Sequence, residues 1–166
     1  AQRARLDGRT RVDVADLPPT LTARTARAQG APRDAAGTDS RDGALRKASF
    51  SDREIAEIEA LCATGFRVGE AEALLGYSGK SRTFSHRLRG LSLKALTCVD
   101  YRTDAAAALL TGADPALTPI VERRLRTLLE SMAERAHEPA DKVLTNLLTE
   151  HRRYALQTLA HLRRHR

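Results

Sequence analysis

Leu61-Cys62-Ala63-Thr64-Gly65-Phe66-Arg67-Val68-Gly69-Glu70-Ala71-Glu72-Ala73-Leu74-Leu75 is the stretch that decides the fold class. It reads as an apolar helix end, a glycine turn and an Ala/Leu-rich second helix, and its parts return downstream at a fixed step. Ala73, Leu74 and Leu75 come back as Ala108, Leu109 and Leu110. On the preceding helix Ile58, Leu93 and Leu128 keep that step, as do Cys62, Thr97 and Met132, while Ala71, Ala106 and Ala140 follow it closely. The step is roughly 35 residues, the period of two-helix solenoid repeats. Two independent helices sharing one period predict an all-α chain, a short solenoid of three helical hairpins.

Upstream of this stretch, Ser51 with Glu54 makes a capping-box pattern, and Phe50 is placed to staple the helix start. The helix after it carries Ile55, Ile58, Leu61 and Cys62 on one face and breaks at Gly65; its partner runs from about Arg67 to Leu75 and stops at Gly76. Ser81 to Arg89, with Phe84 and Leu88 four apart, reads as a connector helix or the front of the next repeat. Leu91–Leu96 with Thr103–Leu110 forms the second hairpin, ended by Gly112 before Asp114-Pro115, and Pro119–Arg135 with Pro139 to about Leu148 forms the third. A last helix carries Tyr154, Leu156, Leu159, Ala160 and Leu162, and closes with Arg163, Arg164 and Arg166 as a solvated, cation-bearing helix end. The expected seam is Ile58, Leu61, Leu74, Leu93, Leu96, Leu109, Leu128, Met132 and Leu144.

Residues 1–45 carry Ala, Arg, Thr, Asp, Gly and Pro without an aromatic residue or a sustained apolar period, and read as an extended arm. Pro18-Pro19 favours extended backbone, and the stretch from Gly30 to Gly43 is interrupted too often by Gly, Pro and Asp to hold a helix. The expected division is an arm over 1–45 and a helical-hairpin domain with its C-terminal helix over 46–166. Ala1 stands where an initiator Met is absent, which simple Met removal before a small residue or a cleaved organellar presequence would explain equally; Arg3, Arg5, Arg9 and Arg11 fit the remainder of a presequence, but Asp7, Asp13 and Asp16 interrupt the basic face, so this start does not read as a targeting peptide.

Of the 166 residues 42% are hydrophobic and 30% charged, with a net charge of +7. That balance suits one helical domain, and the basic excess favours an acidic partner: nucleic acid, an acidic protein face or an anionic surface. Aromatic residues make up 4% and Trp is absent, which removes most of the stacking platform of single-strand binders. No apolar run reaches membrane-spanning length, so no membrane insertion is expected. Cys62 and Cys98 form no disulfide framework and read as reduced core residues.

The segment Leu61 to Gly65 followed by Arg67 to Leu75 resembles a pentatricopeptide repeat, whose hairpin has a Leu-Cys helix end, a turn Gly and a Glu-Ala-x-x-Leu-Leu second helix; Phe66 is one extra turn residue. The second copy keeps Ala95-Leu96 and Ala106 to Leu110 without the turn Gly, and the third keeps Leu128, Met132, Ala140, Val143 and Leu144. In that family single-stranded RNA is read by a few side chains per repeat. The matching positions here are Ala56, Leu91 and Arg126, with His86 and Val121 near the repeat boundaries, and Ala, Leu and Val offer no base-edge hydrogen bond. Size, repeat number and basic charge are instead similar to the pentatricopeptide-type accessory subunits of euglenozoan mitochondrial ATP synthase, which attach outside an F1 α subunit. That resemblance implies a non-catalytic subunit docking on a large protein complex of the mitochondrial matrix, its arm clamping the partner. Organellar RNA binding is the alternative.

A further alternative is a helix-turn-helix at Ala73-Leu74-Leu75-Gly76-Tyr77-Ser78, with Arg82, Arg87 and Arg89 on the recognition helix. His161 and His165 lie four apart, yet the arginines around them oppose a metal, and His137 and His151 are isolated. Gly79-Lys80-Ser81 lacks the spacing and preceding strand of a phosphate loop. No nucleophile–base set stands out, so the sequence predicts no enzyme, no catalytic residues, no cofactor and no metal.

Overall fold

A computed structural model describes residues 35–77, 82–145 and 147–165. Over these the chain is helical: α1 (Ala35–Lys47), α2 (Asp52–Ala63), α3 (Val68–Leu74), α4 (Thr83–Cys98), α5 (Thr103–Thr111), α6 (Thr118–Glu134), α7 (Ala140–Val143), a 3-10 turn (Thr149–His151) and α8 (Arg152–Arg164). Its contacts divide it into Ala1–Gly37 and Thr38–Arg166, and the buried core described below belongs to the second unit. Of the arm expected over 1–45, residues 1–34 lie outside the described residues, and 35–45 belong to α1 rather than to an extended segment.

Helix α2 forms where the capping box places it. The Ser51 hydroxyl accepts from the Glu54 N–H at 3.3 Å, and the Glu54 carboxylate accepts from the Ser51 N–H at 2.8 Å. Ile55, Ile58, Leu61 and Cys62 are all buried, as their spacing predicts. At the end of α2, Gly65 and Phe66 take φ of 63° and 61°, and the Phe66 N–H reaches back to the Leu61 carbonyl at 2.6 Å. After α4 the same turn recurs: Asp100 and Tyr101 take φ of 55° and 62°, and the Tyr101 N–H reaches the Leu96 carbonyl at 2.8 Å. Asp tolerates the left-handed region, which is how the second copy dispenses with the turn Gly. Ala71 and Ala106, at matching places in α3 and α5, are both fully buried.

The hairpin repeat is thus structural for its first two copies, and the third departs from it. Arg135, just after α6, has φ of −95° rather than a left-handed value. The helix expected from Pro139 to Leu148 is only the single turn of α7. The packing also differs from that of a solenoid, where each repeat meets only its neighbours. α8 folds back onto α4 and α6, and the 3-10 turn joins it on α4. α4 becomes the central helix, touching α3, α5 and α8, and half of its sixteen residues are buried.

Two further expectations change. The part of the expected Ser81–Arg89 connector from Thr83 on is the first half of continuous α4, because nothing between Thr83 and Cys98 interrupts the helix. The segment denied a helix carries one from Ala35, despite Gly37 and Gly43, because Leu45 anchors it in the core at 0% exposure. Tertiary burial here outweighs the propensity cost of two glycines, about 1 kcal/mol each. Among the described residues, no helix is long and apolar enough to cross a membrane.

Candidate functional site

Along α4 the steps Phe84, Arg87, Leu91, Lys94 put two cations in phase with two core residues, and all four are buried. α2 meets them with Glu54 and Glu57, themselves in phase with Ile58 and Leu61. Lys94 Nζ donates to Glu54 Oε2 at 2.7 Å and to the Ser49 carbonyl at 2.8 Å, and lies 4.5 Å from the centre of the Phe50 ring. Glu54 Oε1 faces His151 Nε2 at 3.3 Å. Burial pushes the Glu54 carboxyl upward, but hydrogen bonds from Lys94 and the Ser51 N–H outweigh it and hold the group below its ordinary value.

One turn away, Glu57 Oε1 accepts from Arg87 Nε at 2.5 Å and from the Tyr77 hydroxyl at 2.9 Å. Arg87 Nη1 continues to Glu150 at 2.5 Å, and Arg53 Nη2 donates to the Tyr77 hydroxyl at 3.1 Å. These bonds tie α2, the residue beyond α3, α4 and the segment before α8 into one orientation. Gly90 completes the fit. A Cβ there would stand 2.2 Å from His151 Cγ, so only glycine lets the imidazole lie against α4.

The opposite side of the first half of α4 faces outward. Arg82, Thr83 and Ser85 are exposed, and His86 and Arg89 are half-buried. Arg82, Ser85, His86 and Arg89 recur at helical spacing and make one polar, cationic stripe. α3 supports it by packing on both α2 and α4. α3 ends at Gly76, whose φ of 72° reverses the chain without strain. The helix-turn-helix expected at Ala73–Ser78 would make α4 its recognition helix. Arg87, expected on that reading to face a ligand, is instead locked inside the protein.

Comparison with family models, curated proteins and solved structures gives no match.

Of the positions matching an RNA code, Leu91 and Val121 lie in the core, Ala56 and Arg126 are exposed, and Arg126 is held by Glu122 at 2.7 Å. The structure does not bring these five positions to a common exposed surface. In the expected seam, Ile58, Leu61, Leu93, Leu96, Met132 and Leu144 are buried, and Leu109 and Leu128 are partly so. Leu74 is 63% exposed, because short α3 packs through Ala71 instead. Cys62 is buried as expected, whereas Cys98 is exposed at the end of α4.

His161 and His165 place their rings 4.5 Å apart, and His161 stacks on Tyr101 at 3.9 Å. Burial and the neighbouring His165 hold His161 below its ordinary value. No group of three metal-ligating side chains occurs among the described residues. Arg163 is more than a solvated helix end: its Nε and Nη2 donate to the carbonyls of Ala136 and Glu138 at 2.8 and 3.0 Å. Residues 78–81, with Gly79-Lys80-Ser81, and Arg166 lie outside the described residues.

Sequence reasoning missed the buried ion pairs. The signal for them was phase: Glu54, Glu57, Arg87 and Lys94 all fall in register with apolar neighbours on their own helices.

Proposed function

We propose that the protein is a non-catalytic DNA-binding module that presents the first half of α4 to duplex DNA. The observation that carries this reading is the two-sidedness of α4. One side is fixed in the core by Arg87 and Lys94, and the other offers Arg82, Ser85, His86 and Arg89 at the N-terminal end of the helix. A recognition helix presents that end to base edges in the major groove. The net charge of +7 supports an anionic partner. The connection from Leu75 to Arg82 is longer than the usual turn of about 3–4 residues, and Glu57 on α2 holds both Tyr77, after α3, and Arg87, on α4, at 2.9 and 2.5 Å.

Fluorescence anisotropy with a labelled random-sequence duplex tests this. Binding should weaken steeply between about 50 and 200 mM salt, and Arg82→Ala should flatten that slope by about one while leaving the helical circular dichroism unchanged. Absence of binding at about 50 mM salt removes the reading.

One observation favours a second reading, docking on a protein complex such as F1 through a subunit of α type, in the mitochondrial matrix. Leu74 is a large apolar side chain, 63% exposed, on a helix that meets the core through buried Ala71 and partly buried Val68. On this reading Leu74→Ser abolishes retention in the complex and leaves DNA affinity unchanged.

A further inference from the structure

We propose that the first half of α6 is a docking face for an acidic segment of a partner protein, one that carries a large apolar side chain beside its carboxylates. The inference goes beyond the DNA-binding reading and does not rest on it, since the face belongs to α6 and not to the α4 stripe.

α6 turns Val121, Leu125 and Met132 to the core, where its main neighbours are α5 and α8. Ile120 falls off that side and is 45% exposed, although it is a large apolar side chain. Ile120, Arg123, Arg124 and Thr127 recur at steps of three and four, which puts them on one face of the helix. All four are exposed, and together they line a surface cavity of about 450 Å³.

The helix itself does not account for the charges on this face. Its dipole favours acidic residues in the first turn and basic residues in the last, and α6 has neither. The fold does not use the arginines up either. Arg124 Nη1 donates to the Phe66 carbonyl at 2.7 Å, which steadies the guanidinium beside the turn after α2 and leaves most of its fork for a partner. Arg123 makes no hydrogen bond or ion pair among the described residues. Arg126, by contrast, is already neutralised by Glu122 at 2.7 Å. The face therefore offers one bare isoleucine next to two cations short of acceptors.

Charge complementarity makes the occupant acidic, and the isoleucine makes it a protein. A phosphate backbone would pair the arginines and leave Ile120 in water. A peptide with leucine beside glutamates covers Ile120 and pairs both cations in one docked segment, the usual arrangement of an apolar centre with a charged rim. The face spans about two helical turns, which suits a single segment better than a globular surface.

The probe is a labelled synthetic peptide of glutamates interrupted by leucine pairs, set against an all-glutamate peptide of equal length, with anisotropy read at low salt. The Glu/Leu peptide is expected to bind, and to bind about tenfold more weakly to Ile120→Ser and to Arg123→Glu. The all-glutamate peptide should bind the wild type about tenfold less well, and Ile120→Ser should keep the wild-type affinity for duplex DNA. Both side chains are exposed, so both variants should melt with the wild type, which separates a lost complex from a lost fold. No binding of the Glu/Leu peptide, equal binding of the two peptides, or wild-type affinity in both variants overturns the proposal. Two further results overturn it by naming another occupant. A loss of DNA affinity in Ile120→Ser assigns the face to DNA, and a wild-type dimer in sedimentation that Ile120→Ser makes monomeric assigns it to a second copy of the chain. Peptide binding as expected, with no duplex binding by the wild type, upholds this inference while the DNA reading falls.

Discussion

Glu57→Ala is expected to destabilise the protein by about 3 kcal/mol or more, seen as a melting temperature lower by on the order of 10 °C. Glu57 is 1% exposed and accepts from both Arg87 and Tyr77. Its removal strands a guanidinium that is itself 4% exposed and retains only Glu150, whose side chain is half in water. The cost is the desolvated charge left behind rather than the value of the pair. Removing both charges together tests this: Glu57→Met with Arg87→Met should recover most of the loss, because an apolar pair of similar volume replaces a buried ion pair at little cost. If the single variant melts like the wild type, the ionic tie between α2 and α4 has been misassigned.

Leu96→Ala is the second large effect, about 2–5 kcal/mol by chemical denaturation. Leu96 is fully buried near the end of α4, and its carbonyl accepts the Tyr101 N–H that closes the left-handed turn into α5. Truncation leaves a cavity in a helix on which α5 and α8 both press, which limits collapse. An unchanged transition would remove α4 from the centre of the core.

Local signals in the sequence carried much of this fold. Ser51 with Glu54, the glycines at 65, 76 and 112, and the Ile55–Ile58–Leu61 face mark their helix and its ends because caps and periodic faces are properties of a few adjacent residues. The repeat period was legible too, and it survives as the twin turns at Gly65-Phe66 and Asp100-Tyr101. What the period did not reveal was the return of α8 onto α4, since a contact between distant segments leaves no local mark. Leu74 shows the same limit: it matches Leu109 by spacing, but burial depends on what lies opposite, and among the described residues nothing covers the end of α3. The candidate site was half legible. Arg82, Arg87 and Arg89 read as one basic set, yet Arg82 is exposed and Arg89 half-buried while Arg87 belongs to the core. Only the position of Glu57 on another helix decides that.

The most direct test of the two-sided α4 is amide chemical-shift mapping while a short duplex is titrated in at low salt. Perturbations are expected to concentrate at Arg82, Thr83, Ser85, His86 and Arg89, with Leu91, Lys94 and Leu96 unmoved. Perturbations centred instead on Leu74, Ile120 or Leu156, or none at all, would contradict a DNA-binding α4.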